Sequence, residues 1–118
     1  MKIGFIGLGN MAGAMIGGLL QSNTVSKDDI YGSDANENVV ESRAAEWGIH
    51  TSTDNKETVA SVDYLVLAVK PQFVGNAIDE IRTIMRPEQV IISIVAGKSL
   101  DWMTERFDRE IKCVRCMP

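Results

Sequence analysis

Gly7-Leu8-Gly9-Asn10-Met11-Ala12 sets three small residues at the spacing G-x-G-x-x-A. Each has a mechanical role when a strand precedes it and a helix follows. The first glycine makes the tight turn out of the strand, the second lets a pyrophosphate approach bare backbone, and the alanine lets the helix pack close to a sheet. A helix starting there aims unpaired N–H groups and the positive end of its dipole at bound phosphates. The chemistry implied is capture of a dinucleotide. Without its flanks, the same spacing describes only a tight turn.

Two further stretches bear on such a ligand. Asp34 follows Ala12 by 22 residues, where an acidic side chain holds the adenosine ribose hydroxyls of NAD and a small or basic one accommodates the 2′-phosphate of NADP. Ser33 is a ready hydrogen-bond donor to such a phosphate. Asp34 has a second reading as the cap of a helix starting at Asn36. Farther on, Ala68-Val69-Lys70-Pro71 closes an apolar run. Pro71 keeps Lys70 extended, so that Lys70 either reaches a ribose or phosphate or stays solvated. Ala96 and Gly97, closing the next apolar run, are small enough to lie beside a nicotinamide ring, or else form a plain turn.

These residues need a scaffold, and the hydrophobic pattern supplies one. Short β-rich apolar runs alternate with segments of helical period, the pattern of a parallel sheet covered on both faces. Strands are predicted near Lys2–Gly7, Asp29–Asp34, Ile49–Thr51, Asp63–Val69, Gln89–Val95 and Lys112–Cys116. Met11, Met15, Ile16, Leu19 and Leu20 recur at helical spacing, as do Phe73, Val74, Ala77, Ile78, Ile81, Ile84 and Met85. Both stripes are expected to pack on the sheet. Asn36–Trp47 and Ser99–Phe107 give two more helices, the first ended by Gly48. Gly17 and Gly18 are expected to allow close packing inside the first helix. The predicted fold class is α/β, a doubly wound, mostly parallel Rossmann-type sheet of about six strands with helices on both faces.

The 118 residues fit one domain. A net charge of −4 and twelve scattered Lys and Arg argue against a nucleic-acid or anionic-membrane partner. No targeting or membrane segment is readable, and a cytoplasmic location is expected. Cys113 and Cys116 form C-x-x-C, but three positions along a strand point to opposite faces and no second pair completes a metal shell. His50 falls on a short strand away from the chemistry. Trp47 and Trp102 are expected to pack, and Glu37, Glu41 and Glu46 to mark a solvated face. The chain stops directly after a strand-like run, and a piece of a longer protein is expected.

The phrases Gly4-Phe5-Ile6-Gly7-Leu8-Gly9-Asn10-Met11-Ala12, Asp54-Asn55-Lys56-Glu57-Thr58-Val59, Leu67-Ala68-Val69-Lys70-Pro71-Gln72 and Val114-Arg115-Cys116-Met117-Pro118 together resemble pyrroline-5-carboxylate reductase. The resemblance runs along the whole chain. It implies the amino-terminal cofactor domain of an enzyme that reduces the C=N bond of Δ1-pyrroline-5-carboxylate to L-proline. It also implies a missing helical half that forms the homo-oligomer and supplies most of the substrate pocket, leaving this chain monomeric or weakly associated. The resemblance places Asn55, otherwise read as a helix cap, at the adenosine ribose, and leads Met117 and Pro118 toward the substrate domain. The family favours NADPH and many members use NADH. Asp34 departs from the small hydroxyl residue common there, so NADP(H) and, alternatively, NAD(H) both stand.

The candidate cofactor-binding residues are Ile6, Gly7, Leu8, Gly9, Asn10, Met11, Ser33, Asp34, Asn55, Ala68, Val69, Lys70, Pro71 and Ala96. No catalytic acid or base and no metal ligand is expected in this chain, because hydride transfer asks the protein mainly for position and electrostatics. Two competing readings are the cofactor domain of a β-hydroxyacid-type dehydrogenase, from the Gly4–Met11 phrase, and a non-catalytic nucleotide-sensing module.

Overall fold

The computed structural model describes residues 1–116, so the expectation for Met117 and Pro118 lies outside the described residues. Six strands alternate with five helices: β1 (Ile3–Ile6), α1 (Asn10–Gln21), β2 (Ile30–Ser33), α2 (Glu37–Trp47), β3 (His50–Ser52), α3 (Asn55–Ser61), β4 (Tyr64–Leu67), α4 (Pro71–Ile81), β5 (Val90–Ser93), α5 (Leu100–Phe107) and β6 (Lys112–Arg115). The strands form one sheet in the order β3-β2-β1-β4-β5-β6. Every pairing is parallel. This is the Rossmann order, and the sheet is wholly parallel where a mostly parallel one was expected.

Strand alternation divides the core in two. Ile3 and Phe5 of β1, with Val66 of β4 and Ile92 of β5, face α1 and α2 across a cluster that includes Leu8, Ala12, Ile16 and Ile30. Ile6, Leu65, Leu67 and Ile91 face the other way, onto Val59, Val74, Ile78, Ile81, Met103 and Phe107 of α3, α4 and α5. Register keeps the two sets in line, with Phe5 beside Val66 and Ile6 beside Leu67. Side chains on both faces of β4 are therefore buried, which is why its sequence shows no polar alternation.

Capping chemistry sets the helix starts. Asn36 Oδ1 accepts from the N–H groups of Asn38 and Val39 at the start of α2, and Gly48 ends that helix at φ +68°. Asp54 caps α3 by accepting from Lys56 N–H, and Ser99 caps α5 by accepting from Trp102 N–H. At α4, Pro71 occupies the first turn while Lys70 is extended at ψ 151°, as its place before proline requires.

Several expectations need correction. Helix α3 spans only seven residues, too few for a period to show. Phe73 and Ile84 do not join the α4 core stripe, and Phe73 is 57% exposed. Met11 is likewise exposed, because it lies one position off the buried Ala12 and Ile16 face of α1. Nothing lies within 4 Å of a Cβ built at Gly17 or Gly18, so neither supports close packing.

Candidate functional site

The connections leaving β1 and β4 run to opposite faces of the sheet, so their carboxyl ends part and leave a crevice. A cleft of about 760 Å³ occupies it. Gly7, Gly9, Ser33, Asp34, Asn55, Ala68, Val69 and Lys70 line it, all of them expected from the sequence. Ala35, Asn36, Val39, Phe73, Asn76, Ala77 and Glu80 complete the wall and were not foreseen there.

The glycine turn is clamped from three sides. Gly7 adopts φ +98°, its N–H donates to the Ser33 carbonyl at 2.8 Å, and an added Cβ would lie 2.8 Å from the Ala68 carbonyl oxygen. Leu8 N–H donates to Asp34 Oδ2 at 2.9 Å. Arg43 Nε donates to the Leu8 carbonyl at 3.0 Å, while Arg43 itself pairs with Glu46 and lies over the Trp47 ring. Gly9 differs, because nothing lies within 4 Å of a Cβ built there. Its open side is the room a ligand needs.

Asp34 is not the cap of α2, a role that Asn36 fills. Its Oδ1 instead accepts from Asn36 N–H at 3.0 Å, so one carboxylate ties the glycine turn to the end of β2. A carboxylate has about four lone-pair sites, and Asp34 keeps acceptor capacity toward the cleft. Ser33 is fully buried, and its hydroxyl donates to Asn55 Oδ1 at 2.7 Å. It is therefore no ready donor to a phosphate. Asn55 is not a cap either; Asp54 is, and Asn55 opens α3 with its Nδ2 donating to Glu80 Oε2 at 3.1 Å.

The other expected residues are distributed as follows. Ile6 and Leu8 are fully buried in opposite cores, Asn10 and Met11 are exposed on the first turn of α1, and Pro71 is exposed at the start of α4. None of these five lines the cleft. Ala96 is exposed beside Gly97, whose φ is +75°, and the two form a turn beyond β5 outside the cleft wall. Lys70 is exposed and is the sole cation among the lining residues, against the carboxylates of Asp34 and Glu80.

Away from the cleft, His50 lies exposed on the edge strand and stacks on Tyr31 with ring centroids 4.5 Å apart. Cys113 packs against the core and burial pushes its thiol upward, whereas Cys116 is exposed beyond β6. Arg43, Phe73 and Glu80 escaped the sequence reading. Arg43 and Glu80 belong to no motif and meet their partners only across the fold, and Phe73 follows the period of a core stripe.

Comparison with known proteins extends this picture. The family described as NADP oxidoreductase coenzyme F420-dependent matches residues 2–97. The pyrroline-5-carboxylate reductase of Methanosarcina acetivorans is 36% identical over 117 residues, covering 99% of this chain and 43% of that protein. The Escherichia coli enzyme of the same name is 32% identical, with 99% and 44% covered. The structure of a pyrroline-5-carboxylate reductase from Coxiella burnetii superposes with a TM-score of 0.92 at 28% identity, over 99% of this chain and 43% of that one. That of the Plasmodium falciparum enzyme, solved with NADP bound, gives 0.87 at 26% identity over 100% and 42%. This chain thus spans less than half the length of the relatives it matches. A 3-hydroxyisobutyrate dehydrogenase from Mycobacterium tuberculosis shares the fold alone, at 20% identity and a TM-score of 0.81. The resemblance first carried by the glycine and Lys70-Pro71 phrases therefore extends along the chain in sequence and in fold. By its matched residues, its parallel sheet and its glycine turn, the chain belongs to the family described as NADP oxidoreductase coenzyme F420-dependent.

Proposed function

We propose that this chain is the dinucleotide-binding half of a pyrroline-5-carboxylate reductase, holding NADP(H) or, alternatively, NAD(H) for reduction of the C=N bond of Δ1-pyrroline-5-carboxylate to L-proline. The observation that carries this reading is the cleft at the parting of β1 and β4, with the Gly7–Gly9 turn on its floor, in a chain 30–36% identical along its length to reductases of that name.

The residues present fit such a cofactor. The open side of Gly9 and the start of α1 offer bare backbone and a helix dipole to a pyrophosphate. Asp34 and Asn55 stand at the carboxyl end of β2, where a ribose would be held. Val39, Val69, Ala77 and the exposed ring of Phe73 give an apolar wall for a base. When bound, the cofactor supplies the hydride. This chain binds and orients it, with no acid or base of its own assigned to the reaction.

Ile6, Leu8, Asn10, Met11 and Pro71 then act by shaping or flanking the turn. Ala96 is kept as a contact for the part of the cofactor that extends beyond the cleft wall. Substrate binding and homo-oligomer formation are assigned to the remaining length of the full enzyme, and the location to the cytoplasm. Among the described residues no helix is long and apolar enough to cross a membrane. Calorimetric titration of the chain with NADPH and with NADH is expected to show weak binding of at least one, with no turnover of substrate. Failure of both to bind at millimolar concentration would overturn the reading.

A further inference from the structure

We propose that Arg43, which lies outside the cleft wall, is a positioning residue that locks the Leu8–Gly9 peptide with its carbonyl toward α2, leaving the Gly9 N–H for the phosphates. The inference rests on the dinucleotide reading above and adds to it a residue acting from behind the turn. A peptide unit is planar and trans, so its C=O and N–H point in opposite directions. Arg43 Nε donates to the Leu8 carbonyl at 3.0 Å, and Nη2 makes a longer contact of 3.5 Å with the Gly9 carbonyl. The N–H of the Leu8–Gly9 peptide belongs to Gly9, a lining residue. It leaves on the side away from Arg43.

Gly9 is what makes the lock necessary. Turning this peptide over would carry Gly9 from φ −73° into the positive range, which glycine enters at no steric cost. The reversed peptide would aim a carbonyl oxygen at the phosphates where an N–H is needed. A charge-assisted hydrogen bond to the Leu8 carbonyl favours the binding orientation. The guanidinium is itself held, since Nη1 donates to Glu46 Oε1 at 2.9 Å and the group lies 5.1 Å from the centroid of the Trp47 ring. Gly13 makes room for it, because an added Cβ there would stand 3.1 Å from Nη2 and 3.3 Å from Trp47. The planar fork serves Glu46 and the turn at once, whereas a lysine ammonium carries the charge without the fork.

The test is calorimetric titration of NADPH and NADH into the unaltered chain, Arg43→Lys and Arg43→Met, with urea unfolding to show that each variant is folded. Both variants are expected to weaken both cofactors by one common factor, roughly five- to twentyfold, the loss of a hydrogen bond to a charged group. The loss should persist at about 0.5 M salt, because it comes from peptide orientation and not from long-range attraction. A double-mutant cycle separates positioning from plain structural support. Alanine at position 9 disfavours the reversed peptide, so Gly9→Ala should cost less binding in the Arg43→Lys background than in the unaltered chain. Full affinity in Arg43→Lys, a loss confined to low salt or to one cofactor, or strictly additive losses in the cycle would each overturn the inference while leaving the dinucleotide reading intact. If the unaltered chain binds neither cofactor, that reading has failed, and the inference falls with it.

Discussion

At Gly7 the backbone is left-handed and the Ala68 carbonyl fills the place of a side chain, whereas at Gly9 the backbone is extended, with φ −73°, and faces open space. The two glycines should respond oppositely to substitution by alanine. Gly7→Ala is expected to destabilise the fold by about 1–3 kcal/mol from the backbone conformation alone, with the carbonyl clash adding to it. Gly9→Ala should stay within about 0.5 kcal/mol of the parent and yet weaken dinucleotide binding. Urea unfolding and titration of the same two proteins separate the effects, and a stable Gly7→Ala variant would contradict the first. The G-x-G-x-x-A spacing made both glycines legible in the sequence. Arg43 and Glu80 were not legible, because Arg43 meets its partner Leu8 across 35 residues and Glu80 meets Asn55 across 25. Asp34 was read as ribose contact or helix cap, and its tie to Leu8 N–H appears only once β1 and β2 lie side by side.

Among the elements, α3 shows how a short helix can govern a site. Its seven residues place Asn55 between Ser33 and Glu80, and the Asp54 carboxylate fixes where the helix begins. Asp54→Ala is expected to cost about 1 kcal/mol of stability, the usual effect of losing an N-cap, measured as a lower urea midpoint. It should also loosen dinucleotide binding, because Asn55 loses its anchor. Unchanged binding together with the full stability loss would show that Asn55 is held by its two side-chain partners alone. The longer elements were readable because their faces are buried. Val74, Ala77, Ile78 and Ile81 keep a helical period on α4, and β4 is apolar throughout. Phe73 obeys the same period while standing at the mouth of the cleft, and pattern alone cannot tell a core residue from a wall residue.

For the molecule as a whole, the sheet ends in two edges that discourage pairing with another copy. The β3 edge is only three residues long, and the β6 edge exposes Lys112 and Arg115. Short strands and edge charges are the usual protection against edge-to-edge association. Light scattering of this chain is expected to report a monomer or a weak, concentration-dependent dimer, and a tight dimer would contradict that expectation. Fold class and sheet order were within reach of the sequence, since alternating buried strands and helical stripes leave few arrangements for a parallel sheet. The register reaches far along the chain, with Ile3 beside both Ile30 and Tyr64. During synthesis, β1 must therefore wait for residues about sixty positions later before it has both neighbours. Gly7 waits just as long, for the Ala68 carbonyl that closes its turn. The segment that names the fold leaves the ribosome well before the residues that complete it, and contacts of such long range slow folding.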